Sequence, residues 1–111
     1  MAQGYTSIEQ SRKLIELGLD PSTADMFYNL SESQIPNVIY GNNDDFKCYL
    51  FAWSLTALLE LMPIGSHIEK RKGCYACYVV YAKPLEASIP IDAAFEAICY
   101  LIEQGYIKVD K

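Results

Sequence analysis

The sequence predicts an α+β fold in one globular domain spanning residues 1–111. Three segments have helical patterns with marked ends, at 7–18, 54–62 and 90–104. Cys74–Ala82 is instead rich in aromatic and β-branched residues, as strands are. We therefore expect three main helices packed on a small antiparallel sheet, which is centred on a hairpin containing Cys74–Ala82.

The first helix has two overlapping capping boxes, Thr6 with Glu9 and Ser7 with Gln10. Gly18 suits the position after its last turn, because glycine adopts the left-handed conformation readily. Asp20-Pro21 then favours a short helical turn. We expect Met26–Tyr28 to be extended, and 38–40 and 46–52 to be short or partial strands.

Trp53–Pro63 predicts the central helix of the core. Ser54 is a good N-cap, Pro63 prevents continuation, and leucine or methionine covers most of the helix circumference. The next segment, 66–70, pairs in our prediction with Cys74–Ala82 across a turn at 71–73. We expect 85–89 to be a connection, and 106–109 to be a short strand or an extended tail.

Pro90–Gln104 predicts the last helix, with one apolar face and an acidic stripe of Asp92, Glu96 and Glu103. Gly105 ends it. The stripe is typical of a solvated face, since paired carboxylates act as acid and base only in a cleft that separates their pKa values.

The composition excludes some classes of function. The net charge of −5 argues against a general nucleic-acid binder, whose affinity depends on neutralising phosphates. The sequence has neither an apolar run near the length of a membrane span nor a signal-peptide pattern. We expect a cytoplasmic protein whose four cysteines are free and packed as small apolar residues.

Three blocks carry a resemblance: E-Q-S-R-K-L-I-E-L-G-L-D-P-S-T-A-D-M at 9–26, W-S-L-T-A-L-L-E-L-M-P at 53–63, and I-P-I-D-A-A-F-E-A-I-C-Y-L-I-E-Q-G-Y-I at 89–107. Together they resemble small proteins encoded by phages and integrated mobile elements of Bacteroides-type gut bacteria. That group has no assigned activity, so the resemblance implies no site. One departure is Ile89, which stands where the group often has asparagine and cannot cap a helix.

Cys74 and Cys77 have the only spacing typical of a metal or redox site. A structural zinc site needs four ligands, and His67, Cys48 and Cys99 offer no second short pair. A redox pair usually opens a helix, whereas this one lies in a predicted strand. We expect packing cysteines, a surface His67, and no catalytic, metal or cofactor site.

The candidate interaction residues are Trp53, the basic run Lys70, Arg71 and Lys72, and the aromatic Tyr75 and Tyr78. Trp53 is either a core anchor or part of an interface. The basic run and tyrosines fit either a solvated hairpin or a surface that stacks single-stranded nucleic acid. The sequence favours a non-enzymatic accessory protein that binds a protein partner or itself. A nucleic-acid module and a small Cys/His metal or redox protein are the alternatives.

Overall fold

The computed structural model describes residues 4–29, 36–38, 49–79 and 82–109. Its helices are α1 Ile8–Glu16, α2 Leu55–Leu61 and α3 Pro90–Glu103, and a 3₁₀ turn covers Pro21–Thr23. Its strands are β1 Met26–Asn29, β2 Asn37–Val38, β3 Tyr49–Ala52, β4 His67–Arg71, β5 Cys74–Tyr78 and β6 Leu85–Ala87. The mixed α+β class and the three predicted helices are therefore present, together with the extended segment at Met26–Tyr28.

Local side-chain chemistry sets the ends of α1. Of the two predicted capping boxes, the Ser7–Gln10 box forms, whereas Thr6 turns its hydroxyl into the interior. At the other end, Gly18 has φ 93° and the Leu19 amide donates to the Leu14 carbonyl at 3.1 Å. Glycine accepts this conformation without a Cβ clash, so the chain turns back and buries Leu19.

The other two helices begin differently. Ser54 caps α2 by accepting the Ala57 amide at 3.1 Å, and Asp25 in turn accepts the Ser54 amide at 2.8 Å. Ile89 precedes α3 without a side-chain cap, as its apolar chemistry predicts, and Pro90 provides a first position that lacks an N–H. The predicted end at Gly105 is also present, with φ 80°.

The strands form two antiparallel sheets rather than the one sheet predicted. The first has the order β2-β1-β3 and the second β4-β5-β6. The expected connection at 85–89 contains β6, in which Leu85 and Ala87 are half-buried around exposed Glu86. Three alternating residues are too few for a sequence pattern to distinguish from a loop. The segment 106–109 forms no strand.

The predicted hairpin is β4-β5, with Arg71 opposite Cys74 and His67 opposite Tyr78. Lys72 and Gly73 alone form the turn, and Gly73 has φ 84°. Two-residue hairpin turns need positive φ because their twist must match that of the strands. The predicted strand Cys74–Ala82 was too long, since β5 ends at Tyr78; residues 80 and 81 lie outside the described part of the chain.

The core is organised around α3 rather than α2. Helix α2 buries one residue, Leu58, whereas six residues of α3 are buried. The six are Ile91, Ala93, Ala94, Ala97, Ile98 and Leu101. Three of these six are alanines, which let neighbouring elements approach the helix closely. The second sheet and α2 both pack on α3. Apolar periodicity predicted both helices but does not reveal which one is surrounded.

A buried polar cluster joins the segment before α1 to the first sheet. The Ser11 hydroxyl donates to the Ser7 carbonyl at 2.6 Å, so the Thr6 hydroxyl donates to Ser11 Oγ at 2.8 Å. Thr6 Oγ1 also accepts the Trp53 amide at 3.0 Å, and the Thr6 carbonyl accepts the Tyr28 hydroxyl at 2.7 Å. Burial raises the pKa of Tyr28 to about 12, which keeps this donor protonated.

Thr6→Val tests this cluster. Valine keeps the shape of threonine but leaves the buried Trp53 amide without an acceptor and removes the donor to Ser11 Oγ, so we expect the free energy of unfolding to fall by about 2–3 kcal/mol. Thr56→Val, at an exposed position of α2, is the matched control, with a change below about 0.5 kcal/mol. Urea denaturation measures both, and equal stability of the two variants would contradict the assignment.

Candidate functional site: the outer face of the second sheet

One face of the second sheet is polar and exposed. Alternate residues of a strand point to opposite sides, so Ile68 of β4, Cys77 of β5 and Leu85 of β6 lie on the side that packs into the core. The opposite side, which we call the outer face, is formed by His67, Glu69 and Arg71 of β4, Tyr78 of β5 and Glu86 of β6.

Tyr78 lies at the centre of contacts on the outer face. Its ring stacks on the His67 ring, with centroids 4.7 Å apart and planes inclined by 12°. The Arg71 guanidinium carbon lies 5.4 Å from the centre of the Tyr78 ring, within the range of a cation–π contact. The guanidinium also donates to the Tyr78 hydroxyl. Three contacts therefore restrain one aromatic side chain at the surface.

Two carboxylates complete the network. Arg71 Nε donates to Glu69 Oε2 at 3.1 Å, and Arg71 Nη1 donates to Glu86 Oε1 at 2.8 Å. The Tyr78 hydroxyl donates to the same Glu69 oxygen at 2.8 Å. The hydrogen bond to Glu69 is the largest contribution that raises the pKa of Arg71. The network spans all three strands, so the outer face presents one connected arrangement of rings and charges.

The predicted interaction residues do not form a single patch. Arg71 and Tyr78 lie on the outer face, whereas Lys70 and Tyr75 are opposite one another on the other side of the hairpin, and Lys72 is in the turn. Trp53 is not available as an interface residue, because it is fully buried and its indole N–H donates to Thr23 Oγ1 at 2.9 Å. The sequence indicated Trp53 as either core or interface, and the structure shows core.

Sequence reasoning missed Glu69 and Glu86, and it weighed His67 as a possible metal ligand with the cysteines before favouring a surface residue. The signal that could have found them is the period of two along β4, which places His67, Glu69 and Arg71 on one side. The consecutive cations at 70–72 form a charge pattern that hides this alternation of sides. The exposed position predicted for His67 is confirmed.

The cysteines are not gathered with the histidine. Cys77 is fully buried with its Sγ 3.8 Å from Met62 Sδ, and burial raises its pKa to about 11. Burial also raises the pKa of Cys99 to about 11. Among the described residues, no three His, Cys, Asp or Glu side chains are placed to hold a metal ion. Cys48 lies outside the described residues.

The three residues of the acidic stripe on α3 have different surroundings. Asp92 Oδ1 accepts from Gln10 Nε2 at 2.7 Å and so joins α3 to α1. Asp92 and Glu96 also line an open groove of about 450 Å³ beside β6. Glu103 is exposed at the far end of the helix. We call the groove beside β6 the β6 groove.

The protein is thus a small α+β domain with a network of polar side chains on one face of its second sheet. Scans of the sequence against family models, and searches among curated proteins and solved structures, found no match. No helix in the described ranges is long and apolar enough to cross a membrane.

Thiol labelling tests the placement of Cys77. Because its thiol is buried and its pKa is raised, we expect native protein at pH 8 to leave Cys77 unmodified by iodoacetamide under conditions that fully label the unfolded chain. Peptide mass spectrometry locates the label, and half-buried Cys74 on the same strand is the internal comparison. Labelling of Cys77 as fast as in denaturant would contradict this placement.

Proposed function

We propose that this chain is a non-enzymatic accessory protein that binds a protein partner, a second copy included, through the outer face of its second sheet. The observation that carries the proposal is the restraint of Tyr78 by His67, Arg71 and Glu69. Tyrosine and arginine are the residues in which binding energy is most often concentrated at interfaces. Side chains that are already ordered lose less conformational entropy when a partner binds.

The same network argues against chemistry at this face. Each polar group on it is engaged with a neighbour, and the face is open rather than enclosed. Arg71 is held by two carboxylates, and the Tyr78 hydroxyl donates to one of them, Glu69. The arrangement is suited to recognition by shape and charge.

We propose an origin in a phage or mobile element. The support is the set of three sequence blocks and their order, which correspond to α1 with the following turn, to α2, and to α3. A cytoplasmic location remains part of this proposal, supported by the same resemblance and by the cysteine usage.

A nucleic-acid role is the second candidate. The observation in its favour is that Lys70 and Tyr75 are cross-strand neighbours beside Lys72, which places cations next to an aromatic ring. Two facts rank it lower: the Arg71 charge is paired with two glutamates, and Tyr75 and Tyr78 lie on opposite sides of the strand. The net charge of −5 also opposes binding to phosphates.

Tyr78→Ala tests the proposed interface. We expect the wild-type chain and a control, Tyr106→Ala, to capture the same protein from host lysate, and Tyr78→Ala to retain about a tenth of that signal or less. Tyr106 is the control because it is an exposed tyrosine, 52% accessible, outside the sheet. Circular dichroism checks that each variant is folded, and light scattering after size-exclusion reports self-association.

Equal capture by Tyr78→Ala and wild type would refute the outer face as the interface. Binding of a single-stranded oligonucleotide at low salt, lost on Lys70→Ala and Lys72→Ala but kept by Tyr78→Ala, would move the assignment to the second candidate.

A further inference from the structure

The β6 groove lies at an open edge of the second sheet. The order β4-β5-β6 makes β6 an edge strand, and none of the described residues pairs with its far side. A strand edge carries main-chain donors and acceptors that can pair with another extended chain. The groove of about 450 Å³ runs beside this edge and is bounded on its other side by the first turns of α3 and by Gln10 of α1.

The side chains around the groove have a consistent chemistry. Phe95 supplies an apolar wall, and Glu86, Asp92 and Glu96 supply three carboxylates, while no lysine or arginine is among the described residues that line the groove. Glu86 and Asp92 each have a partner, in Arg71 and Gln10 respectively. Glu96 is exposed and forms no ion pair with any residue that the structure describes. Within the described ranges, Glu96 is therefore the one carboxylate of the groove without a hydrogen-bonded or ion-pair partner.

We infer that the β6 groove binds an extended, basic segment of a partner protein, which adds to β6 as a further strand. Main-chain hydrogen bonds to β6 would hold the segment, and its alternate side chains would project to one side. A lysine or arginine of the segment meets Glu96, and an apolar residue packs on Phe95. The negative groove disfavours nucleic acid by like-charge repulsion.

This inference goes beyond the proposed function, because the β6 groove shares only Glu86 with the outer face and is otherwise lined by different residues. Gln10 forms a restrained wall of the groove, because its Oε1 accepts the Ser7 amide and its Nε2 donates to Asp92 Oδ1. The wall is thus connected to the buried framework of α1. A partner strand would find both sides of the groove already in place, which lowers the cost of ordering.

Peptide binding to the full chain tests the inference. The probe is a fluorescent peptide of about eight residues with alternating lysine and valine, the usual length of a short added strand. We expect this peptide to bind and to shift the amide cross-peaks of Leu85, Glu86 and Ala87 in the NMR spectrum of the protein. A peptide with glutamate in place of lysine is expected not to bind. N-methylation of alternate peptide amides on the edge-pairing side keeps the charge but removes donors, and we expect about tenfold weaker binding.

Variants separate the groove from other surfaces. Glu96→Gln is expected to weaken binding about two- to fivefold, the size of one exposed ion pair. Glu16→Gln, on the exposed side of α1, is the matched control and should leave binding unchanged. Peptide binding and the capture of a partner through the outer face are separate readouts, so a failure of the outer face and a failure of the groove are distinguishable.

The inference would be overturned by no peptide binding at up to about 1 mM peptide, by equal binding of the N-methylated peptide, or by shifts that spare Leu85–Ala87. Equal affinities of Glu96→Gln and wild type would also overturn it.

Discussion

The packing of the second sheet on α3 is the constraint that determines which of its side chains can meet a partner. Ile68, Cys77 and Leu85 lie against the core, where Cys77 is fully buried. Since side chains alternate along a strand, burying these three forces His67, Tyr78 and Glu86 to the opposite side. A slip of one residue in the register would reverse both faces. The outer face is therefore a consequence of core packing, and its network adds cross-strand contacts to a surface already determined.

The interior polar cluster performs a different task. Thr6 and Trp53 exchange two hydrogen bonds, through the Thr6 amide to the Trp53 carbonyl and the Trp53 amide to the Thr6 hydroxyl. Tyr28 of β1 and Ser11 of α1 complete the set. Buried polar groups are costly unless they are satisfied, and here each has a partner. The cluster therefore specifies how α1 and the first sheet meet, which apolar contacts alone would leave less defined.

Local chemistry was readable in the sequence wherever a few neighbouring residues decide the structure. Ser7 with Gln10, Ser54, Gly18 and Gly105 predicted helix ends that the structure shows. The hairpin turn was predicted at 71–73, one residue too long, since Arg71 belongs to β4. Long-range features were not readable in this way. The division of the strands into two sheets, the central place of α3 and the pairing of β6 depend on contacts between distant segments, and β6 is too short to show a pattern.

The candidate site was predicted only in part, for the same reason. Arg71 and Tyr78 were identified by residue type, but their partners Glu69 and His67 of β4 and Glu86 of β6 are brought together by strand register. For Trp53 the sequence left two roles open, a core anchor or part of an interface. Its full burial places it in the core.

Nuclear Overhauser effects from the Tyr78 ring test the central claim most directly, because they report which side of the sheet the ring occupies. The account predicts cross-peaks from the Tyr78 ring to the His67 ring and the Arg71 side chain, with cross-peaks to α3 coming from Cys77 instead. Cross-peaks from the Tyr78 ring to Ala94 or Ile98 of α3, with Cys77 facing solvent, would contradict it.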